Sequence, residues 1–229
     1  MSQRKLLTSN KVLSSLPSAE RQRLTSNLEV IDLTGGQVLC KRGEELRYVY
    51  FPVSALVTFL SAVGEYAEFA VGMTGREGIC NVTCALGSYL SPFKTLVQCP
   101  GLALRMKAQV FVREFQESTA FRNQVLKFVF GLNVQMAQNA ACTRFHYIDQ
   151  RLAHWLLMTR DRLASDHFNM THEELSNYLG VRRVGVTNSA KMLKARKLIN
   201  YNRGAIEIVD AGGLQAMSCA CYAMMAETL

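Results

Sequence analysis

Seven cations (Arg182, Arg183, Lys191, Lys194, Arg196, Lys197 and Arg203) lie between Thr171 and Gly204 against two acids, Glu173 and Glu174. That is an excess of +5 in a chain whose formal net charge is only +8. Positive charge concentrated in this way suits a partner that presents closely spaced phosphates. The chemistry it implies is recognition rather than catalysis. No Ser/His/Asp or Cys/His constellation, no metal-spaced cluster and no glycine-rich phosphate loop opening a helix accompanies it, so an enzyme is not expected.

The same stretch carries the signals that would position those charges. Thr171-His-Glu-Glu174 is a capping box that starts a helix, with Leu175, Tyr178 and Leu179 as its apolar face and a tight turn at Gly180-Val181. A second helix is expected from about Arg182 to Arg196. With Val186 set in the core, 100° per residue brings Ala190 and Leu193 beside it. Val184, Thr187, Asn188 and Lys191 then fall on or near the opposite face, and Arg182 and Arg183 at the N-terminal end. Leu198 to Tyr201, the turn Asn202-Arg-Gly204 and the alternating run Ala205 to Val209 read as a β-hairpin. Helix, short glycine-containing turn, helix and hairpin together make a winged helix-turn-helix, with double-stranded DNA as the expected partner.

At 229 residues the chain is long enough for one large domain or two small ones, and its 49% hydrophobic content is that of an ordinary globular protein. Met1-Ser-Gln-Arg-Lys leads into Ser/Asn-rich sequence with no apolar signal core, and no run reaches the roughly 18 apolar residues of a membrane span. The expected location is the cytoplasm, with no membrane partner. Seven cysteines (40, 80, 84, 99, 142, 219 and 221) are an odd number without an export signal, which argues against a disulfide framework.

From about residue 30 to 106, short β-rich runs alternate with Gly35-Gly36, Gly43, Gly64, Gly72, Gly75 and Gly78. The runs are Gln37–Cys40, Tyr48–Phe51, Ala55–Leu60, Glu68–Val71 and Thr95–Cys99, a pattern of short strands typical of an antiparallel sandwich or barrel. Lys11 to Leu28 ahead of them reads as a short helical segment. Phe121 to Arg144 reads as one long helix. On it Val125, Leu132 and Asn139 repeat every seven residues, as do Phe128, Gln135 and Cys142, which are the a and d positions of a short coiled coil. Tyr147 to Leu163 is the helix that follows.

Gly36-Gln-Val-Leu-Cys-Lys-Arg-Gly43 and Tyr48-Val-Tyr-Phe51 resemble the opening of the cyclic-nucleotide-binding β-roll. Followed by the long helix, and by Leu179-Gly-Val-Arg-Arg-Val-Gly-Val-Thr-Asn188, they make the chain similar to the Crp/Fnr family of bacterial transcription regulators from about residue 11 to 210. The resemblance implies an α+β fold: an N-terminal antiparallel β-roll of the double-stranded β-helix or jelly-roll type over 1–117, a long dimerisation helix over 118–145, and a winged helix-turn-helix over 146–229. It also implies a parallel homodimer through that helix, acting on an inverted-repeat operator, with RNA polymerase as a further partner if the protein activates.

In relatives that bind cyclic AMP, a Glu and an Arg of a glycine-rich cassette hold the ribose and the phosphate. Val82 and Phe93 stand at those positions here, and Lys94 is adjacent but belongs to the other face of its strand. An apolar pair neither neutralises a buried phosphate nor hydrogen-bonds a ribose, so cyclic AMP is not expected as effector and no cofactor is expected. An apolar small-molecule effector stays open. No cysteine precedes Cys40, which argues against the N-terminal iron–sulfur cluster of other relatives, and Cys80-x3-Cys84 is no cluster spacing by itself.

Family residues early in the recognition helix contact base edges, which carries over to Arg183, Val184 and Asn188. Arginine suits guanine, valine a thymine methyl and asparagine adenine. Thr187, Lys191, Arg203 and the Thr171 end are the phosphate candidates, with Arg182 at the helix start. Cys219-Ala-Cys221 is the oddest local feature: on a helix, residues two apart point roughly 200° from each other and close no disulfide. It reads as a Met- and Cys-rich tail packed on the reading domain, or else as a thiol sensor or soft-metal site. The competing reading of the whole is a ligand- or thiol-responsive sensor whose output is a protein contact.

Overall fold

The computed structural model describes residues 6–63 and 67–226, so Gly64 lies outside the described residues. By contacts the chain divides into two compact units, residues 1–59 with 73–133, and 60–72 with 134–229.

The first unit opens on two short helices, α1 (Lys11–Ser14) and α2 (Ser18–Thr25). Pro17 separates them, since it disfavours helical backbone in the residue before it. The strands β1 (Glu29–Leu33), β2 (Val38–Cys40), β3 (Tyr48–Pro52), β4 (Leu56–Val63), β5 (Ala67–Thr74), β6 (Lys94–Cys99) and β7 (Gly101–Lys107) follow. They form one sheet of order β1-β7-β3 and another of order β2-β6-β4-β5. In the first sheet both neighbours of β7 are antiparallel, with Glu29 opposite Arg105 and Phe51 opposite Leu104. The chain then runs through α3 (Ala108–Glu117) into the 27-residue helix α4 (Thr119–Phe145).

An apolar core joins Leu13 and Leu24 of the leading helices to Val49, Phe51, Leu104 and Met106 of the sheet and to Phe111, Phe121, Val125 and Phe128. Phe111 and Phe121 meet edge to face at 5.3 Å, the arrangement the ring quadrupoles favour. Gly78 is required here, because a Cβ at that position would fall inside the Phe128 ring. Asn10 supplies the polar counterpart. Fully buried, it caps α1 through Oδ1 and donates from Nδ2 to the carbonyls of Pro52 at 3.0 Å and Gly78 at 2.9 Å.

In the second unit, α5 (Ile148–Leu163), β8 (His167–Asn169), α6 (His172–Leu179), α7 (Arg183–Ala195), β9 (Ile199–Asn202), β10 (Ala205–Ile208), α8 (Ala211–Met217) and α9 (Cys221–Ala226) follow in order. The wing is a three-stranded sheet, β8-β10-β9, one strand more than the hairpin expected from sequence. No helix among the described residues is long and apolar enough to cross a membrane.

Of the stripe expected to meet a partner helix, Val125, Phe128, Gln135 and Cys142 are buried within their own chain, and Leu132 and Asn139 are half-buried. Val125 and Phe128 belong to the core just described, with Leu132 packed against it. Gln135 and Cys142 are buried, and the Asn139 amide donates to the Val71 carbonyl at 3.0 Å. The large apolar side chains of α4 that stay exposed are Leu126 (43%) and Phe130 (65%), with Phe145 at its end.

Replacing Asn10 by Ala leaves two core carbonyls without their donor and removes the α1 cap. At roughly 1–3 kcal/mol per buried unsatisfied group, the loss of stability should be about 2–4 kcal/mol. It would be read as a lower urea midpoint at unchanged slope.

Candidate nucleic-acid interface

The reading element is built from local chemistry upward. Thr171 N donates to Glu174 Oε2 at 2.7 Å, and Glu174 N donates to Thr171 Oγ1 at 3.2 Å, which is the capping box that starts α6. Gly180 closes α6 at φ +62°, a left-handed conformation that glycine adopts without penalty. Three residues later α7 begins, capped by Arg182 with no side-chain hydrogen bond to its first turn.

Val186, Ala190 and Leu193 bury one face of α7, and the helix packs on α5 and α6. Gly185 sits under Ile148 at the start of α5, where any Cβ would come within 2.8 Å of its Cδ1. The opposite face is open: Arg182, Arg183, Asn188 and Lys191 are exposed, and Val184 is 62% exposed although apolar. Arg183 lies 3.7 Å from Glu173, both largely in solvent, an ion pair worth little that leaves the guanidinium available. At the wing tip Arg203 (φ +48°) and Gly204 (φ +92°) make a two-residue turn with both central residues left-handed, the type that matches strand twist. Arg203 is exposed there, and Lys194 Nζ of α7 donates to the Tyr201 carbonyl at 3.2 Å, tying recognition helix to wing.

Thr171 is exposed at the helix start, whereas Thr187 is only half-exposed and already engaged. Its hydroxyl donates to the Arg183 carbonyl at 3.0 Å and lies 3.1 Å from His172 Nδ1. The His172 ring stacks on Tyr201 at 4.1 Å, so this histidine joins the first turn of α6, the middle of α7 and the wing. Sequence reasoning placed His172 in a helix first turn without a role; its ring partners come from two other elements and carry no local signal.

Val82 and Phe93 come together as lining of one cavity of about 20 Å³, shared with Phe59 and Leu132 and with the polar Asn81 and Thr95; Lys94 is not part of it. None of its lining residues is charged, and the space holds about one water molecule, far less than a nucleotide. Asn81 does not reach into it freely, since its amide donates to the Tyr48 carbonyl at 3.0 Å and accepts from Thr95 Oγ1 at 3.0 Å. In the second unit, Cys142, His146, Cys219 and Cys221 bring four potential metal ligands together; the sequence offered a soft-metal role only as an alternative for Cys219 and Cys221, and none for Cys142 or His146.

Burial first, and then the nearby Arg183 charge, hold the His172 pKa below its ordinary value of 6.5. A histidine whose folded pKa is depressed contributes stability in full above the unfolded value and loses it as pH falls through the interval below. Lowering the pH from about 7.5 to about 5.5 should therefore lower the melting temperature of the wild type more than that of His172→Phe, which keeps a ring on Tyr201 but does not titrate. Equal pH dependence in the two proteins would assign the effect elsewhere.

Residues 150–217 match the family of Crp-like helix-turn-helix domains. Solved structures extend the likeness across the chain. FixK2 from Bradyrhizobium japonicum superposes with a TM-score of 0.73 at 12% identity, over 84% of this chain and 98% of that one. TTHB099, a CRP-family transcriptional regulator from Thermus thermophilus, gives 0.69 at 13%, over 82% and 96%. The c-di-GMP-responsive global regulator CLP from Xanthomonas campestris gives 0.67 at 12%, over 84% and 99%. No curated protein matches the chain in sequence. With residues 150–217 matched in sequence, the chain carries a Crp-like helix-turn-helix domain, and over most of its length it has the fold of these regulators.

Proposed function

We propose that the protein acts as a homodimer that reads an inverted-repeat operator with α7 and does so without cyclic AMP. The observation that carries this reading is the one-sided α7: its buried face is complete, while its open face presents Arg183, Val184 and Asn188 with cations around them. In the proposed complex Arg183 contacts guanine, Val184 a thymine methyl and Asn188 adenine. Arg182, Lys191, Arg203 and the Thr171 end hold phosphates, and Thr187 contributes by fixing His172 and the first turn of α7. The uncapped N-terminus of α7 adds backbone N–H groups suited to an anion.

A two-fold dimer places its recognition helices about 34–36 Å apart, one turn of DNA. Because Val125, Phe128, Gln135 and Cys142 are buried within their own chain, with Leu132 and Asn139 half-buried, the surface of α4 left for a second copy is the exposed row Leu126, Phe130, Asn133 and Ala137. The tight, uncharged cavity behind Val82 and Phe93 favours a ligand-free protein that is already competent to bind, or an apolar effector that must open the pocket.

Selection of random duplex DNA on the purified ligand-free protein tests this. An enriched inverted repeat is the expected result, with Arg183→Ala losing about 1–3 kcal/mol and relaxing preference at one base pair per half-site. Lys191→Ala should weaken all sequences alike and reduce the salt slope by about 1. No enrichment, with weak and steeply salt-dependent binding alone, would favour an output through a protein contact.

A further inference from the structure

Three of the seven cysteines behave unlike the others. Burial raises the thiol pKa of Cys80 and of Cys84, that of Cys84 to about 11, and Cys84 Sγ lies 3.5 Å from the Asn81 carbonyl. Cys142, Cys219 and Cys221 converge instead on one imidazole. Cys142 Sγ is 3.5 Å from Cys219 Sγ, and His146 Nδ1 is 3.5 Å from both Cys142 Sγ and Cys221 Sγ. All four ligand atoms lie within 4.8 Å of one another.

We propose that Cys142, His146, Cys219 and Cys221 form a closed tetrahedral site for a single zinc-class divalent ion. The spacing carries the assignment. Zn–S bonds of 2.3 Å and Zn–N bonds of 2.0–2.1 Å place tetrahedral ligands about 3.8 Å apart for S···S and about 3.6 Å for S···N. One S···S and two S···N separations of 3.5 Å come within about 0.3 Å of these values, and all four ligand atoms lie within 4.8 Å of one another. An iron–sulfur cluster puts several atoms between its thiolates and needs them further apart. A Cys3His set leaves no open position, so the site is structural rather than catalytic.

The surroundings fit an ion held by thiolates. Gln138 Nε2 donates to Cys221 Sγ at 2.9 Å, and His154, buried on α5, places Nδ1 3.4 Å from Cys219 Sγ. N–H···S contacts such as that of Gln138 orient metal-bound thiolates and offset their charge. One divalent ion with three thiolates and a neutral imidazole carries a net charge of −1. Arg151 stands near enough to feel the charges of Cys142 and Cys219, and its guanidinium is anchored on the Leu179 carbonyl. On loading, each thiol still protonated gives its proton to solvent, so binding releases acid.

The ligands come from two places. Cys142 and His146 sit one turn apart at the end of α4, where His146 N donates to the Cys142 carbonyl at 3.1 Å. Cys219 and Cys221 flank the start of α9. An ion there fastens the chain beyond α8 to the end of the long helix.

Anaerobically purified full-length protein, stripped with chelator under thiol reductant, should take up about one zinc per chain in a chelator competition, with proton release and a higher melting temperature. Cobalt should bind with thiolate-to-metal charge transfer and the intense visible bands of a tetrahedral ion. Cys221→Ser and His146→Gln should weaken zinc by at least about 100-fold, and Gln138→Leu by about 10–100-fold. Should a variant fail to fold, the wild-type cobalt spectrum still decides. A cobalt spectrum of octahedral oxygen ligation, iron with acid-labile sulfide, a Cys142–Cys219 disulfide as the isolated form, or zinc uptake unchanged in folded Cys221→Ser each overturns the assignment.

Discussion

The reading unit depends on one face of a 13-residue helix. Val186, Ala190 and Leu193 hold α7 against α5 and α6, and with those three buried every other side chain of the helix has its direction fixed. Rotating the helix by one residue, 100°, would swing charged or polar groups toward the apolar contact and withdraw Val186. Two glycines make the placement physically attainable. Gly180 lets the chain reverse in a left-handed turn, and Gly185 lets Ile148 of α5 come close to the first turn of α7. The open face, Arg183, Val184 and Asn188 included, is thus a consequence of packing.

What was legible in the sequence was what is local. The Thr171–Glu174 box, the Gly180 turn, the left-handed Arg203-Gly204 pair and the 3.6-residue period of α7 each encode their structure within a few neighbouring residues, and all appear where expected. β8 went unread because three residues, His167–Asn169, carry no period; its register opposite β10 is set by tertiary pairing. β1 went unread because it is mostly exposed along its length, an edge strand with little apolar alternation to reveal it. The stripe on α4 shows a different limit. A heptad of apolar and amide residues establishes that a face is buried and says nothing of what buries it. Val125 and Phe128 bury theirs in their own core, over Gly78, whose missing side chain is what admits the Phe128 ring.

The sensor end follows from the same economy of space. Around Val82 and Phe93 the lining closes to about 20 Å³, and Phe59 and Phe93 sit 6.1 Å apart, ring to ring. Close packing makes such a site hard to enter, because a ligand must displace side chains that already fill it. Leu132 is among those side chains and stands on α4. Through Leu132 the cavity wall and the long helix share a side chain.

The cysteines divide along the same line between local and non-local information. Cys219-Ala-Cys221 alone is uninformative, since a helical reading sends the two thiols to opposite sides. In the structure Cys219 precedes α9 and Cys221 begins it, and the break in helical geometry between them turns both sulfurs toward His146. Cys142 and His146, four residues apart, share a helix face and so form a preset half-site. Neither half is unusual by itself, and only the return of the chain after α8 to the end of α4 joins them. Three thiols around one imidazole, with the Gln138 amide donating to sulfur, His154 Nδ1 beside Cys219 and a cation at Arg151, are an expensive way to fill a core. Apolar side chains would pack there at less cost, and the polar arrangement is physically reasonable once a divalent ion stands at its centre.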